Sequence, residues 1–266
     1  MSLSELITPI TLLIGYLAAI LIGVSKTGVP GVGLFACLLM ISAFSGHEMF
    51  ASGAVVPLLI LGDVAAVWYY RRDCDPKLLK RLWPPVAIGL LLGATLLCFM
   101  LNSHFKITVG ALASSILIFE FIRKACGWTK VSTNPYFRRA CGVLAGCSTI
   151  LGNAAGAVSA AYFSSQGLDK KSFMGTNAVF FFGVNVAKIP LMILVTAVKS
   201  HLGFDVNDSQ IMNLTTFCLT LIFAPGIIIG GVIGRSVYNK IPEKIFVPFI
   251  LILNFITAIY ILISAF

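Results

Sequence analysis

The sequence predicts an all-α membrane protein, a polytopic helical bundle of two inverted-topology internal repeats with broken or re-entrant helices. Three observations predict it. The first is composition: 58% of the 266 residues are hydrophobic and 11% are charged, with a mean hydropathy of +0.98, where a soluble domain carries roughly a quarter charged residues. The second is a segment written twice. Gly23-Val-Ser25-Lys26-Thr-Gly28-Val-Pro30-Gly31-Val-Gly33 returns, altered, as Gly146-Cys-Ser148-Thr149-Ile-Leu-Gly152-Asn153-Ala-Ala-Gly156. The third is the placing of Lys and Arg, which gather in the short connections between long apolar runs.

In chain order, residues 1–22 have the length of a secretory leader, but their polar end carries Glu5 and no Lys or Arg, so a retained first helix is expected. Full helices are expected over about 50–70, 83–101, 105–122, 173–198, 213–235 and 245–265, each matched to a hydrocarbon core about 30 Å thick. Segments 6–45 and 138–165 differ, since each is apolar on both sides of a Gly-rich break and its two ends lie on one side of the membrane by charge. The flanks of the second are too short for two crossings, so a re-entrant hairpin is expected there. The first leaves two crossings open. These elements divide the chain into a first repeat, 1–124, a cytoplasmic linker, 125–137, and a second repeat, 138–266.

The halves correspond beyond the doubled motif. Gly53 and Asp63 stand ten residues apart, as do Gly175 and Asn185, and Gly89-x3-Gly93 followed by Asn102 answers Gly226-x3-Gly230 followed by Asn239. About fifteen extra residues near 199–212 read as a loop insertion. Arg71, Arg72, Lys77, Lys80 and Arg81 mark one connection, Arg123, Lys124, Lys130, Arg138 and Arg139 a second, Lys170 and Lys171 a third, and Arg235, Lys240 and Lys244 a fourth. An excess of Lys and Arg marks the cytoplasmic side. The remaining connections hold Lys106 and Lys199 with His47, His104, His201, Glu48, Asp205 and Asp208, and are expected to face outward. Followed along the chain, this map places both termini outside and orients the halves oppositely. Inverted repeats are a transporter architecture whose site lies near the midplane at the repeat interface, built from broken helices. Helix N-termini freed at such breaks present N–H groups and positive dipole ends, so an anion is the expected ligand.

The candidate site follows from these breaks. Lys26 places an ammonium inside a Gly/Pro-broken intramembrane segment, which is costly without an anionic ligand or a carboxylate. The readings stand open: contact with substrate, or a side chain that snorkels to the interface or pairs lastingly with Asp63 and leaves the anion to backbone N–H groups. Lys188 lies mid-helix three residues after Asn185, on roughly one helical face. Asp63 is the carboxylate deep in a span and the repeat counterpart of Asn185. It fits a coupling proton carrier and a structural ion pair equally. Ser25, Ser148, Thr149, Asn153, Thr176 and Asn177 offer neutral donors beside glycines, and Gly28, Gly31 and Gly152 offer backbone N–H groups at the breaks. Gly89/Gly93 and Gly226/Gly230 read as close helix packing. Phe180-Phe181-Phe182 reads as packing or lipid-facing bulk, Arg235 as an interface anchor, and Glu120 as a helix-end partner of Arg123 and Lys124. Replacing Lys26 by Met is expected to abolish transport and leave folding nearly intact.

The doubled block, Gly142 to Gly156 around its second copy, and Gly175-Thr176-Asn177 followed by Asn185 and Lys188 resemble the TauE/SafE family of sulfite and organosulfonate exporters over nearly the whole chain. The resemblance implies secondary transport, with export the implied direction, of small sulfur-containing anions such as sulfite or sulfonates across a bacterial or archaeal inner membrane. The second block has Thr149 where the first has Lys26 and Asn153 where it has Pro30, so the implied site is asymmetric.

Other classes fit less well. The net charge of +9 lies in short loops, which argues against nucleic acid. All three histidines fall in connections, and no G-x-S-x-G or H-E-x-x-H occurs, so no enzyme is expected. The seven cysteines are scattered, with no C-x2-C pair, which indicates neither a metal nor a disulfide framework. No cofactor is expected. The expected partners are a small anionic substrate and the lipid bilayer, with a homodimer left open. An anion channel, or a carrier of another small organic or inorganic anion, is the alternative reading.

Overall fold

The computed structural model describes residues 7–44, 46–102, 134–205, 209–246 and 248–250, with positions 104, 105, 107, 108, 111 and 252. The helices expected over 105–122 and 245–265, and the linker 125–137, lie largely outside these residues, as do Glu120, Arg123, Lys124, Lys130, Lys106 and Asp208. Eight α-helices are labelled here: α1 Pro9–Thr27, α2 Gly33–Ala43, α3 Glu48–Tyr70, α4 Pro76–Phe99, α5 Pro135–Gly152, α6 Ala155–Ser165, α7 Lys170–His201 and α8 Leu214–Lys240.

Local chemistry sets their ends. Thr8 caps α1, accepting from Thr11 N at 3.1 Å with Pro9 in the first turn, and Asn134 caps α5 in the same way before Pro135. Asp75 accepts from Lys77 N and Leu78 N at 2.9 and 3.0 Å and starts α4 at Pro76. The expected start at 83 was therefore late. Pro84 and Pro85 lie inside the helix, and Lys77, Lys80 and Arg81 belong to its first turns. Similarly, Arg138 and Arg139 lie early in α5, Lys170 and Lys171 open α7, and Arg235 and Lys240 lie within α8. Charge counting locates the ends of apolar runs and does not separate a loop from a terminal helical turn. Lys199 departs further from its expected outward loop. It lies in the last turn of α7, is fully buried, and donates to the carbonyls of Leu97 (3.2 Å) and Met100 at the end of α4. A cation suits a helix C-terminus, whose last carbonyls lack intrahelical partners.

The helices α1, α3, α4, α7 and α8 are long and apolar enough to cross a membrane. The outer faces of α4 and α8 leave Leu91, Leu92, Leu221 and Ile228 exposed, as suits lipid contact rather than water. The short helices α2 and α6 have 11 residues each and rise about 16 Å, half a hydrocarbon core. Each follows a break: Gly28 to Val32, with a 3-10 turn over Pro30–Val32, between α1 and α2, and Asn153-Ala154 between α5 and α6.

Packing is crosswise between the two halves of the chain. Helix α1 lies against α8, and α5 lies against α4. Small residues permit both contacts, as the Gly-x3-Gly spacing indicates. Gly23 and Gly28 face the α8 backbone at Gly231 and Gly234, Gly230 faces Ile20, and Gly89 and Gly93 face Val143 and Cys147 of α5. Thr27 Oγ1 adds a hydrogen bond to the Gly231 carbonyl at 2.7 Å. Helices α3 and α7 pack on each other at the centre.

Each central helix has one glycine under a backbone turn. A Cβ at Gly53 of α3 would overlap the Ile211 carbonyl, and one at Gly175 of α7 would stand 2.6 Å from the Tyr70 carbonyl oxygen. Gly53→Ala is expected to cost about 1–3 kcal/mol through overpacking, read as a lowered thermal midpoint in detergent. Gly156→Ala, with nothing within 4 Å of the new methyl, is expected to leave that midpoint unchanged or slightly raised. A second stability prediction concerns Asp169, which caps α7 by accepting from Ser172 N at 3.1 Å. Hydrogen bonds from Ser172 hold its carboxyl below the ordinary carboxylate range. Asp169→Ala is expected to cost about 1 kcal/mol at neutral pH. Because the folded pKa is the lower one, the wild-type advantage is complete above the ordinary carboxylate range. It is lost as pH falls through the depressed value, so the two thermal midpoints converge in acid.

Candidate anion site

The two breaks meet beside the central helices. The C-terminal end of α1 brings Ser25 and Lys26, and the first turns of α2 bring Gly33, Leu34 and Cys37. The end of α5 brings Thr149 and Asn153, α6 brings Gly156, and α7 brings Asn177, Phe181 and Asn185. These residues, with Pro30 and Leu59, line one cavity. The N-termini of α2 and α6 both reach it, and neither is capped by a side chain. Two positive dipole ends without side-chain caps thus converge on one space, the Gly33 N–H of α2 being returned to the Pro30 carbonyl.

Charge is arranged around it unequally. Lys26 Nζ lies 2.7 Å from Asp63 Oδ1 and 4.6 Å from the centre of the Phe181 ring. Asp63 is wholly buried, and its Oδ2 accepts from Asn185 Nδ2 at 2.6 Å. The pairing that the sequence left open is therefore formed in this state. Lys188, also wholly buried, donates to Asn153 Oδ1 at 2.5 Å, to Thr149 Oγ1 at 3.3 Å and to the Thr149 carbonyl at 3.4 Å. Three acceptors match the three donors of an ammonium. All three are neutral, so no carboxylate meets Lys188, and with its amine protonated one carboxylate and two ammonium groups leave one net positive charge here.

Asn153 holds this arrangement through an unusual backbone. Its φ of 55° and ψ of 26° are left-handed, where Asn is among the tolerated residues. The turn returns N–H groups to α5: Asn153 N donates to the Thr149 carbonyl and Ala154 N to that of Ser148. The Asn153 side chain bridges outward, with Nδ2 donating to Ser52 Oγ at 3.2 Å and the Ser52 carbonyl at 3.3 Å, while Oδ1 receives Lys188.

Of the residues named from sequence, Ser25, Lys26, Thr149, Asn153, Asn177 and Asn185 share the cavity lining, and Asp63 and Lys188 are bonded directly to lining residues. Others stand elsewhere. Gly28 faces Gly234 on α8, and Gly31 lies in the 3-10 turn. Ser148 Oγ bonds the Ala145 carbonyl within α5, which Gly152 ends. Thr176 Oγ1 accepts from Asp75 N at 3.0 Å and ties α7 to the start of α4.

Sequence reading took Phe181 for packing or lipid-facing bulk, where it lines the cavity, and passed over Cys37 and Ser52. Phe181 was readable: 177, 181, 185 and 188 fall at intervals of four, four and three, one stripe of a helix, and three of those positions were already named. Ser52 had no such signal, because its role depends on a contact across 101 residues.

A family model described as sulfite exporter TauE/SafE matches residues 12–261. No significant match is found among curated proteins or among solved structures. The residues matched are nearly the whole of the chain, and the chain belongs to the sulfite exporter TauE/SafE family.

Proposed function

We propose that the protein is a secondary transporter of small sulfur-containing anions, an exporter of sulfite or organosulfonates, working by alternating access around the cavity between the two breaks. One observation carries this reading beyond the family: the uncapped N-termini of α2 and α6 converge with Lys26, Thr149 and Asn153 on a single space, a combination suited to an oxyanion. The crosswise packing of α1 on α8 and α5 on α4 supports two repeats, 1–124 and 138–266, of inverted topology. In that arrangement α2 and α6 are the half-length arms of two broken or re-entrant segments.

In the proposed cycle the anion enters between the repeats and is met by Lys26, by the ammonium of Lys188 behind Thr149 and Asn153, and by N–H groups of the two breaks. Asn177 and Ser25 orient its oxygens. Asp63 releases Lys26 toward the substrate when it takes up a proton, which couples flux to the proton gradient. The basic connections lie in the cytoplasm, both termini lie outside, and the membrane is the inner one. Counterflow in proteoliposomes is the test, with labelled sulfite and a sulfonate against phosphate and a neutral sugar. Accumulation of the sulfur anions alone is expected. Absence of exchange in vesicles of folded protein rejects the carrier reading, and flux that ignores the anion loaded on the far side makes the protein a channel.

A further inference from the structure

A residue that lines the cavity carries a hydrogen-bond acceptor that nothing among the described residues satisfies. Asn185 is 1% exposed, and its Nδ2 is committed to Asp63 Oδ2 at 2.6 Å. That bond fixes the amide orientation, because a carboxylate oxygen accepts and only the amide nitrogen donates. Oδ1 is thereby left as the other arm of a cavity-lining residue, buried and without a hydrogen-bond partner. An unpartnered buried acceptor is costly, and a simple oxyanion, itself only an acceptor, does not relieve it. The charge around the cavity is equally specific. Lys26 and Asp63 cancel across 2.7 Å, and Lys188 is met by neutral oxygens of Thr149 and Asn153. With Lys188 protonated, one positive charge remains.

We infer that the sulfur anion this cavity takes best is singly charged and itself donates a hydrogen bond, to Asn185 Oδ1: the protonated monoanion of a dibasic sulfur oxyanion, ahead of its dianion and ahead of sulfonates, which carry one charge but no donor on the sulfur group. The inference rests on the transport function proposed above and names the protonation state of the cargo. Hydrogensulfite has both properties, sulfite dianion has neither, and sulfate fails on charge and donor alike. The charge count also explains why Asn serves at 185 in place of the carboxylate of its counterpart Asp63: a second carboxylate would cancel the remaining positive charge and could not donate to Asp63.

Counterflow is measured in proteoliposomes of the full chain, at fixed total sulfite, across the neutral range in which hydrogensulfite gives up its proton. Methanesulfinate, of the same charge and shape with a methyl group in place of the hydroxyl, and sulfate, a dianion throughout, are compared with it. The expected result is sulfite exchange that falls with the hydrogensulfite fraction, methanesulfinate exchange at least about tenfold weaker that keeps only the shallower pH dependence of the protein's own groups, and no sulfate exchange. Equal exchange of methanesulfinate and hydrogensulfite overturns the donor. Sulfate exchange, or sulfite exchange that rises with pH, overturns the single charge, and a matching pH fall for methanesulfinate places the titrating proton on the protein and overturns it too. Failure of every sulfur anion to exchange rejects the transport function itself, a result distinct from all of these.

Discussion

Lys26→Met is expected to abolish anion counterflow and, in the same protein, to lower its stability by about 3–5 kcal/mol, because it strands a buried carboxylate. Asp63 is wholly buried and keeps only the Asn185 amide when Lys26 Nζ, 2.7 Å away, is removed. The expectation from sequence that folding survives nearly intact is revised by this contact. A loss of that size is a large fraction of the ordinary 5–15 kcal/mol total, so the single variant confuses a lost site with a lost fold. Lys26→Met combined with Asp63→Asn separates them. Asparagine keeps the shape of aspartate, carries no charge, and still accepts from Asn185, so the pair is expected to recover most of the thermal midpoint in detergent. Counterflow is expected to stay lost. A double variant that folds and transports like the wild type removes Lys26 from the site and leaves it a structural counterion of Asp63.

The features legible in the sequence were those that a local pattern fixes. The doubled glycine block located both breaks, and the apolar runs located α3, α7 and α8 to within a few residues. Lys26, Thr149 and Asn153 were named from residue type beside those breaks and Asn185 as the repeat counterpart of Asp63, and they line one cavity. Long-range pairings were not legible. Thr176 sits beside Asn177 in the chain, yet a helix turns successive residues to different faces, and Thr176 reaches the Asp75 backbone instead of the cavity. Lys199 was assigned to an outward loop because its charge stood beyond an apolar run. Its interior place depends on the end of α4, about a hundred residues earlier, offering free carbonyls. The partition between Lys26 with Asp63 and Lys188 with Asn153 also needed distances, since residue spacing allowed either lysine to pair with Asp63.

Asn153 gives the sharpest separation of stability from function, because two substitutions there are expected to act in opposite ways. Asn153→Gly keeps the left-handed backbone, which glycine adopts freely, and deletes the acceptor of Lys188 together with both bonds to Ser52. A hydrogen bond to a charged group is worth roughly 1.5–3 kcal/mol, and losses of that order are expected in the thermal midpoint. Asn153→Asp does the reverse. Aspartate tolerates the same backbone region, and its carboxylate meets the Lys188 ammonium where Oδ1 now stands at 2.5 Å, an ion pair that offsets the two donor bonds lost to Ser52, so stability is expected to be nearly held. The cavity, however, then contains two carboxylates and two ammonium groups and no longer carries a positive charge, while a fixed negative charge lines the position that the anion must enter. Counterflow is expected to fall at least about tenfold, since one unit of opposing charge at close range in a poorly screened site is worth more than 1.4 kcal/mol. Thermal midpoint and counterflow measured on the two variants therefore diverge: Asn153→Gly loses stability first, and Asn153→Asp loses transport alone. Retained transport in a stable Asn153→Asp protein means that the charge of Lys188 serves the helix packing and not the anion.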